Sequence, residues 1–343
     1  MLVKQDETQL KEGYLMRPVR FSDAEAIVGL CNYFSRALNA LDELTVSEIE
    51  AFWQTPRLSM EDDLRVVFTP QDKYVGYIES LTLGEIPAHA FIWFRLHPDY
   101  THEGVGEALF DWALQRASRV MDLVPEGLRI SIACLNAHGF GYGHRLYESR
   151  GFKVIRHSYQ MHIDLDKPFD SPEWPAGITL RHFDAGRDAE NVYRSVDEAF
   201  SDHFGHVEEP FESGYPRWRQ MMVEDKEAFD PSLWFVAVHG DEIAGISLCR
   251  LMPQEGGKIG WVSQLGVRRP WRKRGLGKAL LLHSFAEFAR RRLHKAGLGV
   301  DASNLTGALR LYERAGMYVA QQYDRYEKEL RPGKELMTTE VSA

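Results

Sequence analysis

Hydrophobic and polar positions fall into a regular series along the second half of this chain. A short apolar run at 233–238 is followed by Gly240-Asp241-Glu242 and a second run at 243–249, which predicts two strands joined by a hairpin turn. Residues 258–267 read as the next strand. An amphipathic stretch over 278–289 then predicts a helix spanning 276–294. A strand at 298–300, a helix at 306–315 and a closing strand at 317–322 follow, and a strand at 178–181 with a helix at 188–199 comes before. In the first half, 65–68, 74–78 and 90–94 mirror the strands. Strands and helices interleaved in this way predict an α/β (α+β layered) domain with helices on both faces of a mixed sheet.

The order is written twice. Arg272-Lys273-Arg274-Gly275-Leu276-Gly277 separates the strand ending in Leu265-Gly266-Val267 from the amphipathic helix. Thr101-His102-Glu103-Gly104-Val105-Gly106 is a weaker copy, with Gly104 lying 171 residues before Gly275. Leu146-Tyr147-Glu148 matches Leu311-Tyr312-Glu313 at an offset of 165, so the first copy carries about six extra residues, assigned to 138–143. One long period is a domain duplication rather than a solenoid. Three prolines and Gly177 within 167–177 mark a linker. The expected layout is a first domain at 1–166, a second at 178–331 and a polar tail at 332–343 that frays.

Composition narrows the function. The 343 residues are 44% hydrophobic and 27% charged, enough for two cores. A net charge of −9 argues against broad nucleic-acid binding. No apolar run approaches the roughly 20 residues that span a bilayer, and the N-terminus lacks a signal-peptide core. Cys31, Cys134 and Cys249 form neither a metal spacing nor an even disulfide set, so each is expected to be a buried apolar residue in a reducing cytoplasm. No metal site is expected.

The turn at 272–277 supplies consecutive backbone donors at a helix N-terminus, glycines that admit close approach, and three cations. It suits a pyrophosphate. It is not a P-loop, and Leu280 stands where a dinucleotide fingerprint needs its third glycine.

The ordered set of strand 265–267, Arg-x-x-Gly-x-Gly turn, Asn304 and Leu311-Tyr312-Glu313 resembles the GNAT superfamily of acyl-CoA-dependent acyltransferases. The tandem layout is similar to that of mycothiol synthase and its relatives. The resemblance implies two tandem GNAT-like domains, each a mixed, mostly antiparallel twisted sheet flanked by helices. It implies acetyl-CoA as co-substrate, with Arg272, Lys273, Arg274, Gly275, Leu276 and Gly277 around its pyrophosphate. Leu265, Gly266, Val267 and Asn304 would lie along its pantetheine arm. Tyr312 would protonate the departing thiolate, although it also reads as an ordinary core aromatic. Ser263 and Gln264 occupy the strand position where some members carry a basic Glu, and neither is a competent base. Candidates for that role lie in 200–209, which also reads as a solvated polar loop: His203 first, then Glu208, with Asp202, His206 and Glu209 nearby. The first copy has Thr101 for the arginine and Asp99, Glu103 and Glu107 around it, which disfavours an anion, though Tyr147 persists.

The reading is an N-acetyltransferase that moves an acetyl group to a primary amine by direct attack in the second domain. Its acceptor is a small molecule, with no nucleic-acid or membrane partner, and it acts as a monomer or homodimer. A non-catalytic acyl-CoA-binding protein and a protein-modifying acetyltransferase are the alternatives.

Overall fold

The computed structural model describes residues 8–10, 13–41, 44–82, 86–206, 209–224, 229–254, 257–302 and 307–338. Along the chain the strands are β1 (Thr8–Gln9), β2 (Leu15–Pro18), β3 (Leu64–Phe68), β4 (Tyr74–Leu81), β5 (His89–Leu96), β6 (Ile130–Ala137), β7 (Lys153–Asp164), β8 (Ile178–His182), β9 (Trp234–His239), β10 (Glu242–Gln254), β11 (Gly257–Val267), β12 (Lys295–Asp301) and β13 (Tyr318–Arg331). The helices are α1 (Ala24–Ala37), α2 (Val46–Trp53), α3 (Met60–Asp63), α4 (Val105–Ala117), α5 (Gly141–Glu148), α6 (Ala185–Phe200), α7 (Phe211–Met222), α8 (Leu276–Arg290) and α9 (Ala308–Arg314).

Contacts divide the chain into two compact units. The first is Met1–His157 with Gln321–Leu336, and the second is Ser158–Ala320 with Met337–Ala343. The first unit's sheet runs β1-β2-β3-β4-β5-β6-β13, antiparallel throughout except for the parallel β5/β6 pair. The second runs β8-β9-β10-β11-β12-β7, antiparallel except for β11/β12. Each is therefore an open, mostly antiparallel sheet with helices on both faces.

The division differs from a boundary at 167–177. Ser158–Asp164 of β7 pairs with β12 in the second unit, while Tyr323–Arg331 of β13 pairs with β6 in the first. A duplicated chain presents two equivalent edges, and an alternating local pattern does not specify which edge a strand takes. The segment after 331 is also ordered through Thr338 rather than frayed. Lys334 N–H donates to Gly127 O at 2.7 Å, and Thr338 N–H donates to His206 O at 2.8 Å.

In each unit one sheet face packs on the helix that follows the glycine turn, and the other packs on the first helices. In the first unit Leu109 and Phe110 of α4 meet Ile78, Ile92 and Phe94, while Ile27, Cys31 and Trp53 cover Leu64, Val66 and Tyr77. In the second, Leu280, Phe285 and Phe288 of α8 share a core with Val262 and Leu298. Val192, Val196 and Trp218 cover Trp234, Val236 and Ile246. Burying each phenyl ring contributes about 1.5–3 kcal/mol. Gly260 makes room for α8, because a Cβ there would lie 2.4 Å from the Phe288 ring. All three cysteines are buried.

Candidate active site

The second unit's sheet opens where its two parallel strands part. The β11/β12 ladder runs from Gly260↔Ala296 to Val262↔Leu298 and goes no further among the described residues, yet β11 continues to Val267 and β12 to Asp301. On its other edge β11 stays paired with β10, through Leu265↔Ser247, Gly266↔Ile246 and Val267↔Gly245. A bulge within the β10/β11 ladder, between Leu248↔Gln264 and Cys249↔Val262, leaves Ser263 without an opposite residue. Residues 264–267 thus offer one backbone edge to the gap.

The basic turn follows at the same end. Lys273 and Gly275 both take left-handed conformations, at φ +61° and +85°. That backbone swings the chain into α8, whose N-cap Gly275 provides no side-chain cap and whose first turn holds no acid. Its leading amides are left for an external acceptor, and the helix dipole favours an anion there.

Arg272 points inward. Its Nε donates to Val267 O at 3.1 Å, and its two terminal nitrogens reach Ala199 O at 3.2 Å and Asp202 Oδ2 at 3.3 Å. The guanidinium therefore ties the turn to β11 and to the end of α6, while Lys273 and Arg274 remain exposed. Arg269 also donates to Asp202, at 2.7 Å. That bond, with the one from Arg272, holds the Asp202 carboxyl below its ordinary value.

Tyr312 lies on α9 and is buried; burial pushes its phenol up to about 12. The neighbouring Leu311 packs on the start of α8, 3.3 Å from where a Cβ of Gly277 would sit. His203 follows α6, its ring 4.7 Å from that of Phe200. Burial, then the charge of Arg272, lowers its imidazole below the ordinary value, against the opposite pull of Asp301 at the end of β12. His203 is therefore neutral at pH 7 and competent to accept a proton. Gly205 N–H donates to Thr338 O at 2.9 Å and so pins the following loop. Glu209 is engaged by Arg217 through two bonds, of 2.8 and 2.5 Å. Glu208 and Asn304 lie outside the described residues.

One polar group here has no role as a base and escapes sequence reasoning. Gln264 Oε1 is buried without a hydrogen-bond partner among the described residues. Gln264 shares a strand face with Gly266, whose Cβ position lies 3.1 Å from Ala199 of α6. An orphaned carbonyl oxygen can accept an N–H from a ligand.

The first unit's corresponding turn is filled by its own chain. Gly104 is again a left-handed N-cap, at φ +73°, but Glu107 stands in the first turn of α4. Tyr142, from the extra segment, donates to Glu107 Oε2 at 2.8 Å. Tyr147 is fully buried and stacks on Phe110. A cavity of about 470 Å³ lies elsewhere in the second unit, lined by Arg181, Asp188, Arg194, Glu198 and Arg268, and excludes Tyr312 and the 272–277 turn. Its charges are largely paired internally, Arg181 with Asp188 and Arg268 with Glu198.

Known proteins share this layout. The acetyltransferase (GNAT) family profile matches residues 194–317. A mycothiol acetyltransferase from Thermobispora bispora is 32% identical over 225 residues, covering 64% of this chain and 70% of the relative. One from Streptomyces bingchenggensis is 30% identical over 273 residues, covering 76% and 77%. A GCN5-related N-acetyltransferase from Sphaerobacter thermophilus superposes with a TM-score of 0.77 at 32% identity, over 96% of this chain and 99% of that one. A tandem GNAT protein from the clavulanic acid biosynthesis pathway shares the fold, with a TM-score of 0.69 at 16% identity over 94% and 100%.

Proposed function

This chain belongs to the GNAT acetyltransferase family, and on that premise we propose that its second unit transfers an acetyl group from acetyl-CoA to a primary amine of a small molecule. The carrying observation is the uncapped N-terminus of α8, entered through left-handed Lys273 and Gly275, beside the unpaired edge of residues 264–267. The amides around Gly275, Leu276 and Gly277 bind the CoA pyrophosphate, with Lys273 and Arg274 adding charge. Arg272 holds the turn in register. Leu265, Gly266 and Val267 present backbone groups to the pantetheine arm and to the thioester oxygen, where negative charge develops. Asn304, outside the described residues, is assigned to the same arm by the family resemblance alone.

The acceptor nitrogen attacks the thioester carbon, forming a C–N bond. The C–S bond breaks, and Tyr312 gives its proton to the departing thiolate. His203 takes the proton the amine loses, with Glu208 the second candidate for that task. Gln264 Oε1 accepts an N–H of the bound amine and orients it. No metal takes part in these steps. The relatives' name, mycothiol acetyltransferase, supports a small-molecule acceptor of that kind over a protein side chain.

The test is calorimetric titration with acetyl-CoA, followed by thiol release across a panel of small amines and basic peptides. Binding with turnover on small amines supports the proposal. Absence of acetyl-CoA binding ends it, and turnover on peptides alone redirects it to protein modification.

A further inference from the structure

The first unit gathers three histidines around one buried carboxylate. Asp324, on β13, is 3% exposed at its side chain. His138 follows β6 and begins the segment that only the first half carries; its Nδ1 is 2.7 Å from Asp324 Oδ2. His144, in the first turn of α5, places Nε2 3.6 Å from the same oxygen. The other oxygen, Oδ1, receives His157 Nδ1 at 2.6 Å and Gln322 Nε2 at 2.8 Å. The ligand atoms of His138, His144 and Asp324 all lie within 4.8 Å of one another.

We infer that His138 Nδ1, His144 Nε2 and Asp324 Oδ2 form a site for a borderline divalent cation of the zinc type, with His157 and Gln322 orienting the carboxylate. Zinc bonds of ~2.0–2.2 Å in a tetrahedral arrangement set ligand atoms roughly 3.3 Å apart. The separations of 2.7 and 3.6 Å to the carboxylate straddle that value, and ion binding requires the His144 ring to turn its Nε2 away from His138 O. Two imidazoles and one carboxylate suit zinc or cobalt better than calcium or magnesium, which prefer oxygen alone. His138 is 62% exposed, which gives the ion a route in and leaves a position for solvent.

The surrounding bonds fit this role. Burial works to raise the Asp324 carboxyl, but bonds from Gln322, His138 and His157 overcome it and keep the group an anion. His144 Nε2 lies 2.9 Å from His138 O, which only accepts, so without an ion the ring proton sits there. On ion binding that proton moves to Nδ1, where the Tyr326 oxygen waits at 2.6 Å. Tyr326 O–H donates in turn to Glu148 at 3.3 Å. This is the outer partner a metal-bound imidazole requires. An ion here would fasten β13 to the loop and helix that follow β6.

Untagged, chelator-treated full-length protein, titrated with Zn²⁺ and with Co²⁺, tests the inference. One equivalent of each should bind, raise the melting temperature and, for Co²⁺, give the visible absorption of a low-coordinate site. Mg²⁺ and Ca²⁺ should do neither. His138→Ala should weaken Zn²⁺ binding by at least tenfold and His157→Ala by about tenfold, and the exposure of both residues keeps these variants folded. Failure to saturate, or binding unchanged in His138→Ala, overturns the site. So does a melting temperature that falls in both variants yet ignores Zn²⁺, since the cluster is then a hydrogen-bond network alone.

Discussion

The Tyr142 hydroxyl occupies the space over Gly106, standing 2.2 Å from where a Cβ on that glycine would be. With its bond to Glu107 it crowds this glycine far more closely than anything crowds the corresponding Gly277, where Leu311 is the nearest side chain at 3.3 Å. Calorimetry should therefore find one acetyl-CoA site per chain. Two equivalent sites would contradict this.

Arg272→Ala removes three bonds that hold the anion-facing turn against β11 and α6. Charged hydrogen bonds are worth about 1.5–3 kcal/mol each, and partial loss of register should weaken acetyl-CoA binding by roughly tenfold or more. Gly275→Ala faces no steric contact but must hold φ +85°, so it should cost about 1–2 kcal/mol of stability. Titration and thermal melting separate the two effects.

The pH profile carries two expectations. Tyr312 titrates at about 12, so its acid form persists across the working range and imposes no alkaline loss. Tyr312→Phe should lower kcat more than it weakens acetyl-CoA binding. His203 must be unprotonated to act, and its lowered pKa sets the acid limb of kcat/KM below the ordinary histidine value of 6.5. His203→Ala should erase that limb; an unchanged limb would assign the base elsewhere.

Replacing Gln264 with Leu keeps the side chain's bulk and removes the unpartnered oxygen. If that oxygen meets the amine, KM for the acceptor should rise about tenfold while acetyl-CoA affinity stays put. Steady-state kinetics with each substrate varied would show it.

Arg181 pairs with Asp188 at 2.5 Å in the second unit, as Arg17 pairs with Asp23 at 2.6 Å in the first. Burial opposes ionisation of Asp188, yet bonds from Arg181 and Arg187 lower its pKa to about 2. Its contribution to stability is complete above the unfolded value near 3.8 and fades as pH falls towards 2. Asp188→Asn should destabilise the second unit by about 2 kcal/mol at pH 7, because the neutral amide gives up the ionic partner of Arg181 and Arg187. In denaturant melts the gap between variant and parent should narrow from pH 7 to pH 2.5.

The turn at 272–277 is legible in the sequence because its glycines and cations act over six consecutive residues. The strand runs at 233–238 and 243–249 are legible because a buried strand writes apolar runs, whereas the half-exposed continuation of β10 to Gln254 is not. Helix α7 is harder to see: its stretch carries Gly214 and an internal Pro216, and its core contact comes chiefly through Trp218. The inward set of Arg272 is invisible as well, since its partners Ala199 and Asp202 come from the end of α6 and the turn after it, some seventy residues earlier. The cluster on Asp324 joins residues nearly two hundred positions apart, beyond any motif spacing.

Strand β13 also sets a timetable for synthesis. The first unit's sheet closes on residues that leave the ribosome only after the whole stretch from Ala137 to Tyr323 has been made. At ~5–20 residues per second this is a delay of roughly ten to forty seconds. Throughout it the free edge of β6 is exposed to any nascent strand that can pair with it, and β7, which follows directly, is the first candidate to arrive. A productive chain must therefore keep β6 vacant, or release an early partner, until its last strand appears.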